Sequence, residues 1–187
     1  PARVNNSINW KSNNMGGLTV NAIYGLGETN QQDERRENDF AAVGVDYDNG
    51  PLNVGVIFHH INKGAADNQK EWLLGGGYNF GAVKLLGSIQ QKKVGGVNDK
   101  LFQIGVSVPV GASSAVAANF GRFDADAGSD FDANGFNVTY THNLSKRTVA
   151  YATYTLVDNK DGANFSSFVA SKDAAGDKGH GLGVGIR

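Results

Sequence analysis

Large apolar side chains recur at every second position along almost the whole chain, and this alternation limits the fold more than any other feature. It is clearest from Gly135 to Val157, where Phe136, Val138 and Tyr140 alternate with Asn137, Thr139 and Thr141. Successive strand side chains point to opposite faces, so this stretch is a strand with one apolar and one polar face. A short polar turn, Asn143 to Arg147, leads into a second arm, Thr148 to Val157, rich in the β-branched and aromatic residues that suit a pleated surface. A much longer polar stretch, Asp158 to Lys178, follows. Strand, short turn, strand, long loop is the unit that repeats.

The rest of the chain reads the same way. Apolar rows run through Val4, Ile8 and Trp10, then Leu18, Val20, Ala22 and Tyr24, then Ala41, Val43, Val45 and Tyr47, then Leu52, Val54, Val56 and Phe58. Trp72, Leu74, Tyr78 and Phe80 share a face, Val83, Leu85 and Ile89 return, and Phe102 to Val108 and Val116 to Phe120 follow. Leu182, Val184 and Ile186 form the last row. That makes about eleven strands in a single segment spanning 1–187, with no stretch of helical periodicity. Turns at Ser12–Gly16, Asp48–Pro51, Gly81, Gly111–Ser114 and Asn143–Arg147 alternate with polar loops at 26–38, 62–70, 94–98, 124–133 and 158–178. This asymmetry is expected if all turns lie at one end and all loops at the other.

The polar face decides between a dry and a wet interior. It carries Arg3, Lys11, Lys84 and Lys92, and burying such charges in a dry barrel costs several kcal/mol each. A barrel with a wet interior and an apolar exterior removes the cost, and it matches the outer-membrane pattern of strands of about 10 residues flanked by aromatics. Trp10, Tyr47, Trp72, Phe80 and Tyr140 suit the headgroup level. The reading is therefore all-β, a transmembrane antiparallel up-and-down β-barrel. A soluble β-barrel or sandwich serving as a binding module is the alternative that alternation alone also allows. No apolar run approaches the roughly 20 residues of a membrane helix. The 26 glycines and 3 prolines suit close, twisted strands, and the absence of cysteine excludes disulfides, thiolate nucleophiles and cysteine-type zinc sites. A formal charge of −1 gives no case for nucleic acid as a partner. Pro1 to Asn9 has no apolar core and does not read as a signal peptide.

The phrases RVNNSINW at Arg3 to Trp10, GGLTVNAIYGLGE at Gly16 to Glu28, VDYDNGPLNVG, GGYNFGAVKL, THNLSKRT, YTLVDNKDGAN and the terminal GVGIR occur in this order. Together they resemble the trimeric general diffusion porins of Gram-negative outer membranes, of the β-proteobacterial type. The resemblance implies a sixteen-stranded barrel of which this chain is the C-terminal two-thirds, lacking five N-terminal strands, the inward-folded constriction loop and a terminal phenylalanine. It implies a homotrimer in the outer membrane that lets small hydrophilic or anionic solutes and ions diffuse passively. The N-terminal porin strands, outer-membrane lipid and lipopolysaccharide would be its partners, with Arg35 and Arg36 near the lipopolysaccharide phosphates.

The same resemblance makes Arg3 the wall arginine opposite the acidic constriction loop, and the parity of Arg3 with Asn5 and Ser7 agrees. Asn5, Ser7, Asn9, Lys11, Lys84 and Lys92 are the expected pore-lining residues, biasing the channel modestly towards anions while Asp46 and Asp99 oppose them. No cofactor is expected. Asp124, Asp126 and Asp130 in DADAGSDFD are spaced like a calcium loop, but the glycine and distal glutamate of an EF-hand are missing, and a solvated acidic loop is the competing reading. His59, His60, His142 and His180 are scattered, with no carboxylate at a spacing that suggests a metal site or catalytic dyad. The enzymatic alternative is an outer-membrane barrel hydrolase, which needs a serine or threonine beside an oriented histidine on the outer face, His142 being the outward candidate.

Overall fold

The computed structural model describes residues 4–27, 37–64, 66–167 and 174–187. Eleven strands run in chain order: β1 (Ser7–Lys11), β2 (Leu18–Gly25), β3 (Phe40–Asn49), β4 (Leu52–Ile61), β5 (Gln69–Asn79), β6 (Lys84–Val94), β7 (Val97–Val110), β8 (Ser114–Asp124), β9 (Ala133–Ser145), β10 (Thr148–Asn159) and β11 (Lys178–Ile186). They make one up-and-down sheet in which each strand pairs with its chain neighbours. A 3-10 turn at Ser129–Phe131 interrupts the β8–β9 connection. Two compact units arise from the chain, Pro1–Gly76 with Ile89–Asp99, and Gly77–Ser88 with Lys100–Arg187.

Residues directly opposite in an antiparallel pair share a face, so the registers sort every side chain. In the first unit Trp10 opposes Ala22, Ala22 opposes Val43, and Val43 opposes Phe58. Lys11 opposes Asn21 on the other face, where Asp46 opposes Gly55. In the second unit Ile104, Phe120, Phe136 and Leu156 form one apolar row, continued by His180 on β11. Asn119, Asn137 and Thr155 form a row on the polar face.

The apolar face is the exposed one. Ile104 is 62% exposed and Leu182 77%, and Val56, Phe58, Leu85, Phe120, Phe136 and Tyr140 are exposed as well. Among the described residues only Ala133, Val157 and Ala163 are buried hydrophobics, and no large side chain is fully enclosed. A soluble module hides such side chains under a second layer, whereas a continuous exposed apolar surface requires a non-aqueous covering. The aromatics expected at the interfaces keep polar handles: Trp72 Nε1 donates to Gln91 Oε1 at 2.7 Å, and Tyr47 Oη accepts from Asn49 Nδ2 at 2.8 Å.

One connection departs from the alternation of turns and loops. The loop expected near Val94 to Asn98 is only Gly95 and Gly96, because β6 runs to Val94 and β7 starts at Val97. Gly95 adopts φ 59, the left-handed conformation that tight hairpins need and glycine supplies without a Cβ clash. Val94 ends one long strand and Val97 and Asn98 begin the next, so the two glycines alone make the turn.

Candidate functional site: the polar face and its covering loop

On the polar face of the first unit, β1 presents Ser7, Asn9 and Lys11 as expected. Asn5 precedes β1, and Asn6 at φ 47 breaks the extended chain, so strand parity does not carry back from Ser7 to Asn5. Arg3, Arg35 and Arg36 lie outside the described residues. Asn21 Nδ2 donates to Asp46 Oδ2 at 2.9 Å, which ties one carboxylate of the polar face to the neighbouring strand. Lys92 is exposed and two positions beyond Gln90 on β6, a spacing that keeps both on one face.

The largest revision concerns histidine. Reading the sequence found no carboxylate suited to His59, yet its Nε2 stands 3.2 Å from Glu71 Oε2 across the β4–β5 hairpin. Glu71 Oε2 also accepts from Gln69 Nε2 at 3.2 Å, and its other oxygen accepts from Gln90 Nε2. The Phe40 ring stands against the imidazole with centroids 5.4 Å apart. The signal was present in the sequence. His59 and Glu71 are equally distant from the middle of their connecting loop, and hairpin partners at equal distance from a loop face each other.

The polar face of the second unit is neutral over most of its width. Lys84 is at its β6 margin, and Ser88 Oγ donates to Gln103 Oε1 at 3.0 Å. From Leu101 on β7 to Gly185 on β11, no strand position on this face carries a charge. Hydroxyls and amides fill it instead. Asn137 Nδ2 donates to Thr153 Oγ1 at 2.8 Å and Thr155 Oγ1 at 2.9 Å, and Thr139 Oγ1 donates to Asn137 Oδ1 at 2.9 Å. Gly179, Gly181, Gly183 and Gly185 complete it on β11, opposite Val157, Thr155, Thr153 and Tyr151. Such a surface offers hydrogen bonds at low steric cost along a path.

At the loop end, chain folds back over this face. Phe123, Ala133, Asn159 and Val157 belong to the polar face by register, yet Asn159 is 3% exposed and Ala133 and Val157 are buried. Their cover is the segment after β10. Asn159 Oδ1 accepts from the Phe165 N–H at 2.9 Å, and its Nδ2 donates to the Phe165 carbonyl at 2.9 Å. The amide thus pairs with Phe165 as a strand backbone would. Phe165 stacks edge-on against Phe123 at 5.0 Å, and Ala163 and Ser167 are buried beneath. The β8–β9 connection joins the same structure: Gly162 N–H donates to the Asp130 carbonyl at 2.7 Å, and Lys160 N–H to the Asp132 carbonyl at 3.0 Å.

The acidic loop is organised around an arginine. Arg122 Nη2 stands 2.9 Å from Asp132 Oδ2 and 3.5 Å from Asp124 Oδ1, while Asp132 Oδ1 accepts from the Ala125 N–H at 2.9 Å. No group of three histidine or acidic side chains among the described residues is placed to hold a metal ion, so Asp124, Asp126 and Asp130 are not gathered into a cation site. On the apolar face, His142 Nδ1 does meet a serine: Ser114 Oγ is 2.8 Å away, and Tyr140 Oη is 3.0 Å from that Oγ. Among the described residues no carboxylate pairs with His142, so a third member to orient the ring is lacking. The trio is a polar cluster near the turn end, where amphipathic side chains suit a membrane interface.

Comparison with known proteins places these features in context. The family model described as Gram-negative porin matches residues 1–162. Outer membrane porin protein 32 of Delftia acidovorans is 33% identical over 199 aligned positions, covering 99% of this chain and 56% of that protein. An outer membrane porin of Bordetella pertussis is 30% identical, covering 77% of this chain and 44% of its own length. Among solved structures, the anion-selective porin from Comamonas acidovorans superposes with a TM-score of 0.88 at 30% identity, over 98% of this chain and 59% of that one. A porin refined at 1.8 Å shares the fold at a TM-score of 0.69 and 15% identity. The chain therefore spans about half the length of the curated relatives it matches.

Proposed function

The chain belongs to the Gram-negative porin family, and on that premise we propose that it supplies the wall of a water-filled channel for passive diffusion of small hydrophilic solutes and ions. Its place is the outer membrane. The observation that carries the reading is the division of one sheet into an exposed apolar face and a polar face of small neutral side chains. Lipid covers the first and water runs along the second. Between β1 and β11 each inner strand is hydrogen-bonded on both sides, and backbone satisfied between strands is the condition for crossing hydrocarbon without helices.

Selectivity follows from the fixed charges on the polar face. Lys11, Lys84 and Lys92 attract anions and Asp46 and Asp99 oppose them, so a modest anion preference is the expectation. The relative from Comamonas acidovorans, an anion-selective porin, supports that direction. Arg3 adds to it if it is the wall arginine facing the constriction loop. Assembly as a homotrimer, with lipopolysaccharide around the lipid-facing wall, completes the proposal. No step of it needs catalysis or a cofactor.

Planar-bilayer recording of the full-length protein tests this reading. Discrete, non-rectifying conductance steps with reversal potentials on the anion side are expected, and Arg3→Ser lowers the anion preference. A purified, folded protein that never conducts overturns the channel; an Arg3→Ser channel with unchanged selectivity removes only the role of Arg3.

A further inference from the structure

We propose that His59 and Glu71 form a selectivity-determining pair on the pore wall, whose net charge is set by one proton on the imidazole. The inference rests on the channel reading above. Both side chains are only 16% exposed and stand 3.2 Å apart on the polar face. An ionised carboxylate is acceptor-only, and here its two oxygens meet the imidazole, the Gln69 amide and the Gln90 amide. The carboxylate is therefore built in as a fixed group. Histidine is the side chain that exchanges its charge between about pH 5 and 8.

With the imidazole neutral, the pair presents one uncompensated negative charge to permeating ions. With it protonated, the pair is neutral. The next titratable group on β4 is His60, whose side chain is turned to the opposite face of the strand. Phe40 covers the ring from β3, and the polar face of that strand carries Asp46 and Asp48 further toward the turn. On β5 Glu71 is the one charged side chain of this face, β6 adds Lys92, and β7 adds Asp99. The connections at this end add Glu37, Asp39, Lys63 and Asp67. The sign is then fixed: acidification removes a negative charge from the wall and strengthens the preference for anions. In a pore a single wall charge is felt directly, because the ion passes within a few ångströms of it.

Reversal potentials of the full-length protein in a potassium chloride gradient, recorded from pH 8 to pH 5, test the pair. The wild-type anion-to-cation permeability ratio rises by about twofold over that range. His59→Gln keeps an amide donor toward Glu71 and flattens the rise. Glu71→Gln starts from a higher anion preference at pH 8, because the negative charge is already gone. A conducting His59→Gln channel with the full wild-type rise, or a Glu71→Gln channel with wild-type selectivity at pH 8, overturns the proposal. A protein that forms no channel overturns the channel reading itself, which is a different result.

Discussion

Tyr151 occupies the space that a side chain at residue 185 would need. The two face each other across the β10–β11 pair, and a Cβ on Gly185 would stand 2.6 Å from Tyr151 Oη and 2.7 Å from its Cζ. Gly185 is therefore required for room, since its backbone is not in the left-handed region. Gly185→Ala forces the phenol off its strand and destabilises the folded protein by about 1–3 kcal/mol. Urea unfolding in lipid vesicles reads this directly. Adding Tyr151→Ala removes the clash, so the double variant loses less than the sum of the singles. Equal stability of Gly185→Ala and wild type would show that the ring has another resting place.

The assignment of faces predicts opposite outcomes for neighbouring positions on one strand. Ile104 is in the middle of β7 on the exposed apolar face, opposite Phe120. Ser107 is three residues on and faces the polar side, opposite Ala117. Ile104→Arg places a charge against hydrocarbon and costs about 2–4 kcal/mol at mid-membrane depth. Ser107→Arg leaves the folded fraction near wild type and raises anion preference in bilayer recordings. Equal loss of folding by both variants would contradict the division into lipid and water faces.

Much of this was readable from the sequence, for physical reasons that differ by feature. The strand number and the faces followed from the period of two, which a register slip would reverse at every residue at once. The period of two puts Ala150, Ala152, Tyr154 and Leu156 on one face, and the register pairs them with His142, Tyr140, Val138 and Phe136 on the apolar face. Tyr151, large and aromatic, obscured that parity, and the glycine opposite it explains why the polar face tolerates it. The short Gly95–Gly96 connection was hidden because small residues look alike in loops and in strand ends. The His59–Glu71 pair is legible only by counting both residues back from the middle of their loop, and the fold-back at Phe165 leaves no such trace because it depends on side chains meeting across a loop. Alternation carries no information about such meetings.

The fold-back gives the last prediction. Asn159 uses both ends of its amide: the oxygen accepts from the Phe165 N–H, and the nitrogen donates to the carbonyls of Phe165 at 2.9 Å and Asp177 at 3.2 Å. Asn159→Ala removes all three bonds and leaves the Phe165 N–H and the Phe165 and Asp177 carbonyls to find water. Three net hydrogen bonds at about 0.5–1.5 kcal/mol each are comparable to the docking free energy of a short surface segment. The segment is therefore released for a substantial fraction of the time. Asn159→Asp is worse than its size suggests, because it turns an acceptor toward two carbonyls. Since the docked segment lies over the polar face, release widens the path, and single-channel conductance of the full-length protein rises with more open-channel noise. This chain has no cysteine, so Phe165→Cys offers a clean second measurement. A bulky thiol reagent attached there lowers the current if the segment borders the path. Unchanged conductance in Asn159→Ala, together with no block at Phe165→Cys, would place the segment away from the permeating ions.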